Sequence, residues 1–290
     1  MQRFSSGKTE VLSDIKGTSK VVSYKTITPY TLITGASRGI GLSFAHAFAK
    51  KGCPLIMVAL PEKQLEEVAS AIREQYQIPV DYLGIDLTAD HAPRQVWDYC
   101  QQNGYTINRL INNAGIGFSC RFENLGMDKN LAMIKLNTQA MVGMTHYFLP
   151  RLLLQPDACI LFMSSMEATL ALPYKSVYTG TKNFIYSFAL ALREELKKTS
   201  VKVHVVCPGP VLTNADGLKR INAQGWKARM LLKSPDIVAA FVIRKMEKNK
   251  VRIIPGRLNR FMLWLANHLP LAIKMHFLER IFRRFKDHEL

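Results

Sequence analysis

Seven short apolar runs, at residues 30–34, 54–60, 80–85, 109–112, 159–164, 201–206 and 251–255, alternate with longer segments of helical periodicity. No other feature constrains the fold as much. The runs are nearly continuous in apolar residues rather than alternating with polar ones. Strands of that kind are buried on both faces, as in a parallel sheet. The intervening segments 64–77, 92–103, 131–154 and 183–198 are long enough to be crossover helices. Strand–helix alternation predicts a single doubly wound parallel sheet of about seven strands, an α/β fold. Such a sheet binds ligands in the crevice outside the carboxyl ends of its strands.

The chemically distinctive residues sit just after the apolar runs. Thr34-Gly35-Ala36-Ser37-Arg38-Gly39-Ile40-Gly41 follows the first run and opens a helix. Glycines let the backbone turn tightly and approach a pyrophosphate, and a helix N-terminus offers unpaired N–H groups to an anion. The spacing is GxxxGxG rather than GxGxxG. Asp86-Leu87-Thr88 ends the third run, and Asn112-Asn113-Ala114-Gly115 follows the fourth. Ser164-Ser165 ends the fifth, Tyr178 and Lys182 stand four residues apart, and Pro208-Gly209-Pro210-Val211-Leu212-Thr213 follows the sixth. Residues i and i+4 share one helix face, so the phenol and the ammonium are expected side by side. A free tyrosine titrates near pH ~10 and is a poor acid–base catalyst at neutrality. A neighbouring ammonium lowers that value, and a shift of about 3 units needs roughly 4 kcal/mol of differential stabilisation.

In this order and at these separations, the motifs resemble the short-chain dehydrogenase/reductase superfamily over residues 30–256. The resemblance implies a Rossmann-type fold and a nicotinamide cofactor held by Gly35, Ser37, Arg38, Gly39, Ile40, Gly41, Asp86, Leu87, Asn113, Ala114, Gly115, Pro208, Gly209, Val211 and Thr213, together with Tyr178 and Lys182. It implies Tyr178 as acid–base residue, tuned by Lys182, with Ser165 orienting the substrate oxygen. Asn137 is implied to hold a water linking the lysine to solvent. Other readings remain open: Asp86 as N-cap of the next helix, Ser164 or Ser165 as a strand-end cap, Asn137 as a surface helical residue. The second run ends Val58-Ala59-Leu60-Pro61 without the acid that an NAD-preferring site carries. Arg38 suits a 2′-phosphate, so NADP is expected over NAD. Leu60 replaces a second basic residue, for which Lys63 is a substitute.

The chain divides into an N-terminal arm (1–28), a dinucleotide-binding catalytic unit (29–256) and a basic amphipathic C-terminal helical extension (257–290). The arm has no apolar signal region, and no run is long enough to span a bilayer. Five dispersed cysteines and seven histidines without ligand spacing argue against a disulfide framework or a metal site. They fit a reducing, cytoplasmic setting; peripheral attachment to a membrane is an expectation that only the C-terminal extension raises. The formal charge of +17 belongs either to a solvated basic enzyme or to a partner of an anionic surface. The basic residues lack the interleaved aromatics that stack bases, so no nucleic-acid partner is expected. In the extension, Leu271, Met275, Leu278, Phe282 and Phe285 form one apolar stripe interrupted by Lys274, Arg280, Arg283 and Arg284. Such a stripe faces a membrane interface, or it packs over the active site or a second subunit. The apolar-basic tail resembles the one that follows the core in some reductases of lipophilic ketones, such as long-chain 3-ketoacyl and 17-ketosteroid reductases. The expected substrate is accordingly a lipophilic carbonyl or alcohol, such as a 3-oxoacyl or steroid-like ketone. A homodimer through the long central helices is also expected. The rival reading is a non-catalytic NADP-binding sensor, which would need no proton donor.

Overall fold

The computed structural model describes residues 28–211 and 234–283. Seven parallel strands form one sheet in the order β3-β2-β1-β4-β5-β6-β7. They are β1 (Tyr30–Thr34), β2 (Leu55–Ala59), β3 (Val80–Gly84), β4 (Ile107–Asn112), β5 (Cys159–Met163), β6 (Lys202–Val206) and β7 (Arg252–Ile253). Every residue of β2 and β5 is buried, as continuous apolar runs require. Neighbouring residues in a strand enter opposite cores, because side chains alternate across a sheet. Leu32, Ile160 and Val205 join Val96, Phe148 and Leu192 on one face. Ile33, Leu161 and Val206 join Phe44, Ile72 and Val242 on the other. Phe44, Phe148 and Phe162 are fully buried, each contributing about 1.5–3 kcal/mol by leaving water.

The flanking helices are α1 (Gly39–Ala49), α2 (Lys63–Tyr76), α3 (Ala92–Gln102), α4 (Met127–Ile134), α5 (Met141–Leu152), α6 (Ser176–Glu195) and α7 (Pro235–Glu247). The segment expected as one helix over 131–154 is divided. A π-helical turn, Lys135–Ala140, separates α4 from α5. Ser234 caps α7, its Oγ accepting from Ile237 N at 3.3 Å, with Pro235 in the first turn. Proline suits that position because its fixed φ is helical and its missing N–H would have no partner in the first turn. Two further helices, α8 (Arg257–His268) and α9 (Leu271–Phe282), are joined by Leu269-Pro270 and lie across the carboxyl end of the sheet.

The strand order runs outward from β1 on both sides, β2 and β3 one way and β4 to β7 the other, so β1 and β4 mark the switch point where a crevice opens. Thr34 holds them together. Its buried hydroxyl donates to Ile111 O at 3.3 Å and accepts from the N–H groups of Asn113 and Ala114, both at 3.0 Å.

Candidate active site

A cleft of about 1390 Å³ runs along the carboxyl ends of the strands. At one end the glycine turn forms its wall through Gly35, Ser37, Arg38, Gly39 and Ile40. Gly35 and Gly39 have φ of +66° and +59°, which glycine adopts without strain. A Cβ at Gly41 would lie 2.0 Å from Gly35 O, so the turn closes only around glycine. Asn113 clamps it, donating from Nδ2 to Thr34 O at 3.0 Å and Gly35 O at 3.2 Å. The N-terminus of α1 has no side-chain cap and no acid in its first turn. Its open N–H groups and positive dipole end fit a pyrophosphate.

Asp86, Leu87, Asn113, Ala114 and Gly115 continue the wall, with Ala59 and Leu60 beside them. The N-cap of α3 is His91, so Asp86 does not cap that helix. Its Oδ1 instead accepts from Thr88 N and Oγ1, both at 2.8 Å, and stiffens a turn. Lys63 is not on the wall; it pairs with Glu67 at 3.1 Å in solvent. Arg38 is the basic residue the cleft presents at this end.

Deeper in, Ser165, Tyr178, Lys182, Pro208, Gly209 and Val211 line the same cleft. Thr213 lies outside the described residues. Tyr178 and Lys182 share a face of α6, with Lys182 Nζ 5.8 Å from the Tyr178 ring centroid. Lys182 is 4% exposed, and its Nζ donates to Met163 O at 3.0 Å. Burial pulls its pKa down to about 8, because a low-dielectric setting disfavours the ammonium. The neighbouring Cys207 thiol is pushed up to about 12 by burial and stays neutral. Ser164 Oγ donates to Lys182 O at 2.8 Å, fixing α6 to the end of β5. Ser165 Oγ accepts from Glu167 N at 3.1 Å, so it caps the short turn that follows the strand while lining the cleft.

Asn137 is 1% exposed and lies behind the wall, in the π-helical turn. Its Oδ1 accepts from Ile116 N at 2.9 Å; its Nδ2 donates to Ile116 O at 2.9 Å and Thr181 Oγ1 at 3.0 Å. It is therefore not a surface residue. Both amide hydrogens are committed to protein acceptors, which makes the side chain a clamp on the 113–117 loop. That loop passes close to the α6 pair. A Cβ at Gly115 would lie 3.1 Å from Lys182 Nζ, and one at Gly117 would lie 2.6 Å from the Tyr178 ring.

Several contributors have no motif in the sequence. Lys175 pairs with Glu167 at 3.0 Å, and its Nζ stands 5.9 Å from the Tyr178 ring centroid and 5.3 Å from that of Phe282. Buried Asn259, at the start of α8, sits where a Cβ on Gly209 would be 2.5 Å from its Nδ2. The extension adds Leu263, Leu278 and Phe282 to the apolar lining of the cleft, together with Leu170 and Leu172. Glu279 accepts from Tyr174 OH at 3.0 Å and pairs with Arg283 at 2.7 Å. Both contacts hold its carboxyl down, to a pKa of about 2. Of the stripe read from the sequence, Leu278 is buried and Phe282 half-buried toward the protein. Leu271 is exposed, and Phe285 lies outside the described residues.

Fold and cleft together define a doubly wound α/β protein with a glycine-turn crevice and a Tyr/Lys pair on one helix face. A profile of the short chain dehydrogenase family matches residues 29–224, and the chain belongs to that family. It is 30% identical to a Drosophila melanogaster dehydrogenase/reductase SDR family protein 7-like over 63% of this chain and 57% of that one. It is 27% identical to a Bos taurus very-long-chain 3-oxoacyl-CoA reductase over 66% and 62%. The chain thus spans less than two thirds of those relatives' own length. A Sphingobium yanoikuyae short-chain dehydrogenase solved with NADPH superimposes with a TM-score of 0.70 at 25% identity, covering 84% of this chain and 97% of that one.

Proposed function

We propose that this chain is an NADP-preferring oxidoreductase that moves a hydride between nicotinamide and a carbonyl or alcohol, reducing a lipophilic ketone of 3-oxoacyl or steroid-like type. The observation that carries this reading is the placement of Tyr178, Lys182 and Ser165 on the wall of the cleft that begins at the glycine turn. When bound, the nicotinamide supplies the hydride. The glycine turn, the α1 N-terminus and the 113–115 segment hold the dinucleotide, and Arg38 pairs the 2′-phosphate. The absence of an acid at the end of β2 supports this choice, as does the NADPH-bound Sphingobium relative.

Ser165 donates to the substrate oxygen and Tyr178 delivers the proton to it. Lys182 is an ammonium at neutral pH, fixed by Met163 O, and its charge stabilises the phenolate left behind. Asn137 keeps the loop beneath both residues in place. The apolar lining of Leu263, Leu278 and Phe282 and the bovine 3-oxoacyl-CoA reductase relative support the lipophilic substrate. A homodimer through α5 and α6 belongs to the same reading; exposed Phe184, stacked on Phe188, offers an apolar contact there. The test is to follow oxidation of NADPH and NADH over a panel of short, acyl-chain and polycyclic ketones. Faster NADPH oxidation with the larger apolar ketones is expected. No turnover with any of them refutes the proposal.

A further inference from the structure

The extension turns one side to the cleft and leaves another in solvent. On α8, Leu258, Phe261, Met262 and Leu265 recur at helical spacing and are 43–58% exposed. On α9, Ile273, Phe277 and Ile281 do the same and are 47–53% exposed. Trp264 is 57% exposed and stacks against Phe261 at 6.3 Å between ring centroids. This apolar surface is continuous with the cleft. Met262, Leu265, Phe277 and Ile281 belong both to the exposed set and to the cleft lining, so they form its mouth.

The same two helices and the residue that follows them carry the charge. Between residues 257 and 283 there are five basic residues, Arg257, Arg260, Lys274, Arg280 and Arg283, and one acid. That acid, Glu279, is turned to Tyr174 and Arg283. Lys274 and Arg280 line the cleft itself. An exposed apolar patch with Trp and Phe on the same basic helices complements an anionic lipid surface, where aromatic and aliphatic side chains enter the acyl boundary and cations meet headgroups. No helix among the described residues is long and apolar enough to cross a membrane, and α8 and α9, of 12 residues each, are too short to span one.

We propose that α8 and α9 form an interfacial helical hairpin that seats the protein on an anionic bilayer, with the mouth of the cleft opening into the lipid. A lipophilic ketone then passes from the bilayer between Met262, Leu265, Phe277 and Ile281 to Tyr178 without crossing water. The seating stands on the surface alone; the entry route rests on the function proposed above.

The experiment is sedimentation of the full-length protein with phosphatidylcholine vesicles, with and without phosphatidylserine. Two double variants accompany it: Phe261→Ser/Trp264→Ser, whose positions lie off the cleft wall, and Arg257→Ala/Arg260→Ala. Reduction of a short soluble ketone and the thermal midpoint, both unchanged, certify that the variants are folded. The parent is expected to sediment with the anionic vesicles and to be released by salt. The arginine pair should partition about 30-fold more weakly, from roughly 1 kcal/mol per basic residue at 1.4 kcal/mol per decade. Both variants should slow reduction of a vesicle-embedded ketone while leaving the soluble one unaffected. The seating is overturned if the parent stays in the supernatant at low salt or if the variants sediment as the parent does. It is equally overturned if Phe261→Ser/Trp264→Ser dissociates a dimer of a protein that ignores vesicles, since the patch is then a subunit contact. A parent that sediments but reduces no ketone refutes the function and leaves the seating intact.

Discussion

Replacing Asn137 by alanine removes three hydrogen bonds at one buried point. Ile116 N and O each lose a 2.9 Å partner. Thr181 Oγ1 loses one at 3.0 Å but keeps its bond to Tyr178 O at 2.8 Å. An unsatisfied buried polar group costs about 1–3 kcal/mol. Ile116 is only half-buried, so water recovers part of the loss and each backbone group falls near the low end. Two such groups, with the small void left by the amide, give roughly 2–3 kcal/mol. In a protein of this size that lowers the thermal midpoint by about 3–5 °C. Activity should fall further than stability explains, because the freed loop carries Gly115 and Gly117 against Lys182 and Tyr178. Thr145→Ala is the control. It also breaks two buried hydrogen bonds, to Asn112 Nδ2 and Met141 O, but neither partner belongs to the 113–117 loop. Differential scanning fluorimetry and NADPH-consumption rates, measured on both variants, decide. A midpoint within about 2 °C of the parent, or equal activity losses in the two variants, refutes the clamp.

Two further outcomes follow from the cleft. Arg38→Ala should weaken NADP binding by about 10- to 100-fold, the worth of a hydrogen bond to a charged group, and barely affect NAD; equal losses in a fluorescence titration would remove Arg38 from the 2′-phosphate. Lys182 titrates near 8 in the fold against about 10.4 when unfolded, so burying its charge costs stability below pH 8 and the cost disappears as pH rises to about 10.4. Compared with Lys182→Met in urea melts, the parent should gain up to about 3 kcal/mol across that window; a difference independent of pH contradicts the buried ammonium.

The strands were legible because burial on both faces leaves a direct mark on sequence. The run at 159–164 is β5, and even two-residue β7 lies inside the run at 251–255. The glycine turn was legible because its φ angles and close contacts admit little else. The π-helical turn was not. It is set by Asn137 reaching Ile116, twenty-one residues away, and a tertiary contact leaves no period in the helix that makes it; the only local hint is a poor helix former at 137. Helix α6 begins at Ser176, earlier than the apolar period at 183, because Thr179-Gly180-Thr181 carries no apolar stripe and is held by packing. The extension's share of the cleft lining was half legible. The stripe at 271–285 announced an amphipathic helix, but periodicity does not say which of two apolar faces meets the protein. The structure turns Leu278 and Phe282 inward and leaves Phe277 and Ile281 at the mouth.

The central claim is that Tyr178 is the proton donor of a nicotinamide-dependent reduction. Tyr178→Phe keeps the ring against Gly117 and removes only the hydroxyl, so it isolates the chemistry from the packing. The decisive measurement is single-turnover NADPH oxidation by this variant with the best ketone of the panel, alongside an NADPH binding titration. The account predicts binding within a factor of about 3 of the parent (under 1 kcal/mol) and a rate lower by about 10² or more. A variant that reduces the ketone at near-parental rate contradicts it.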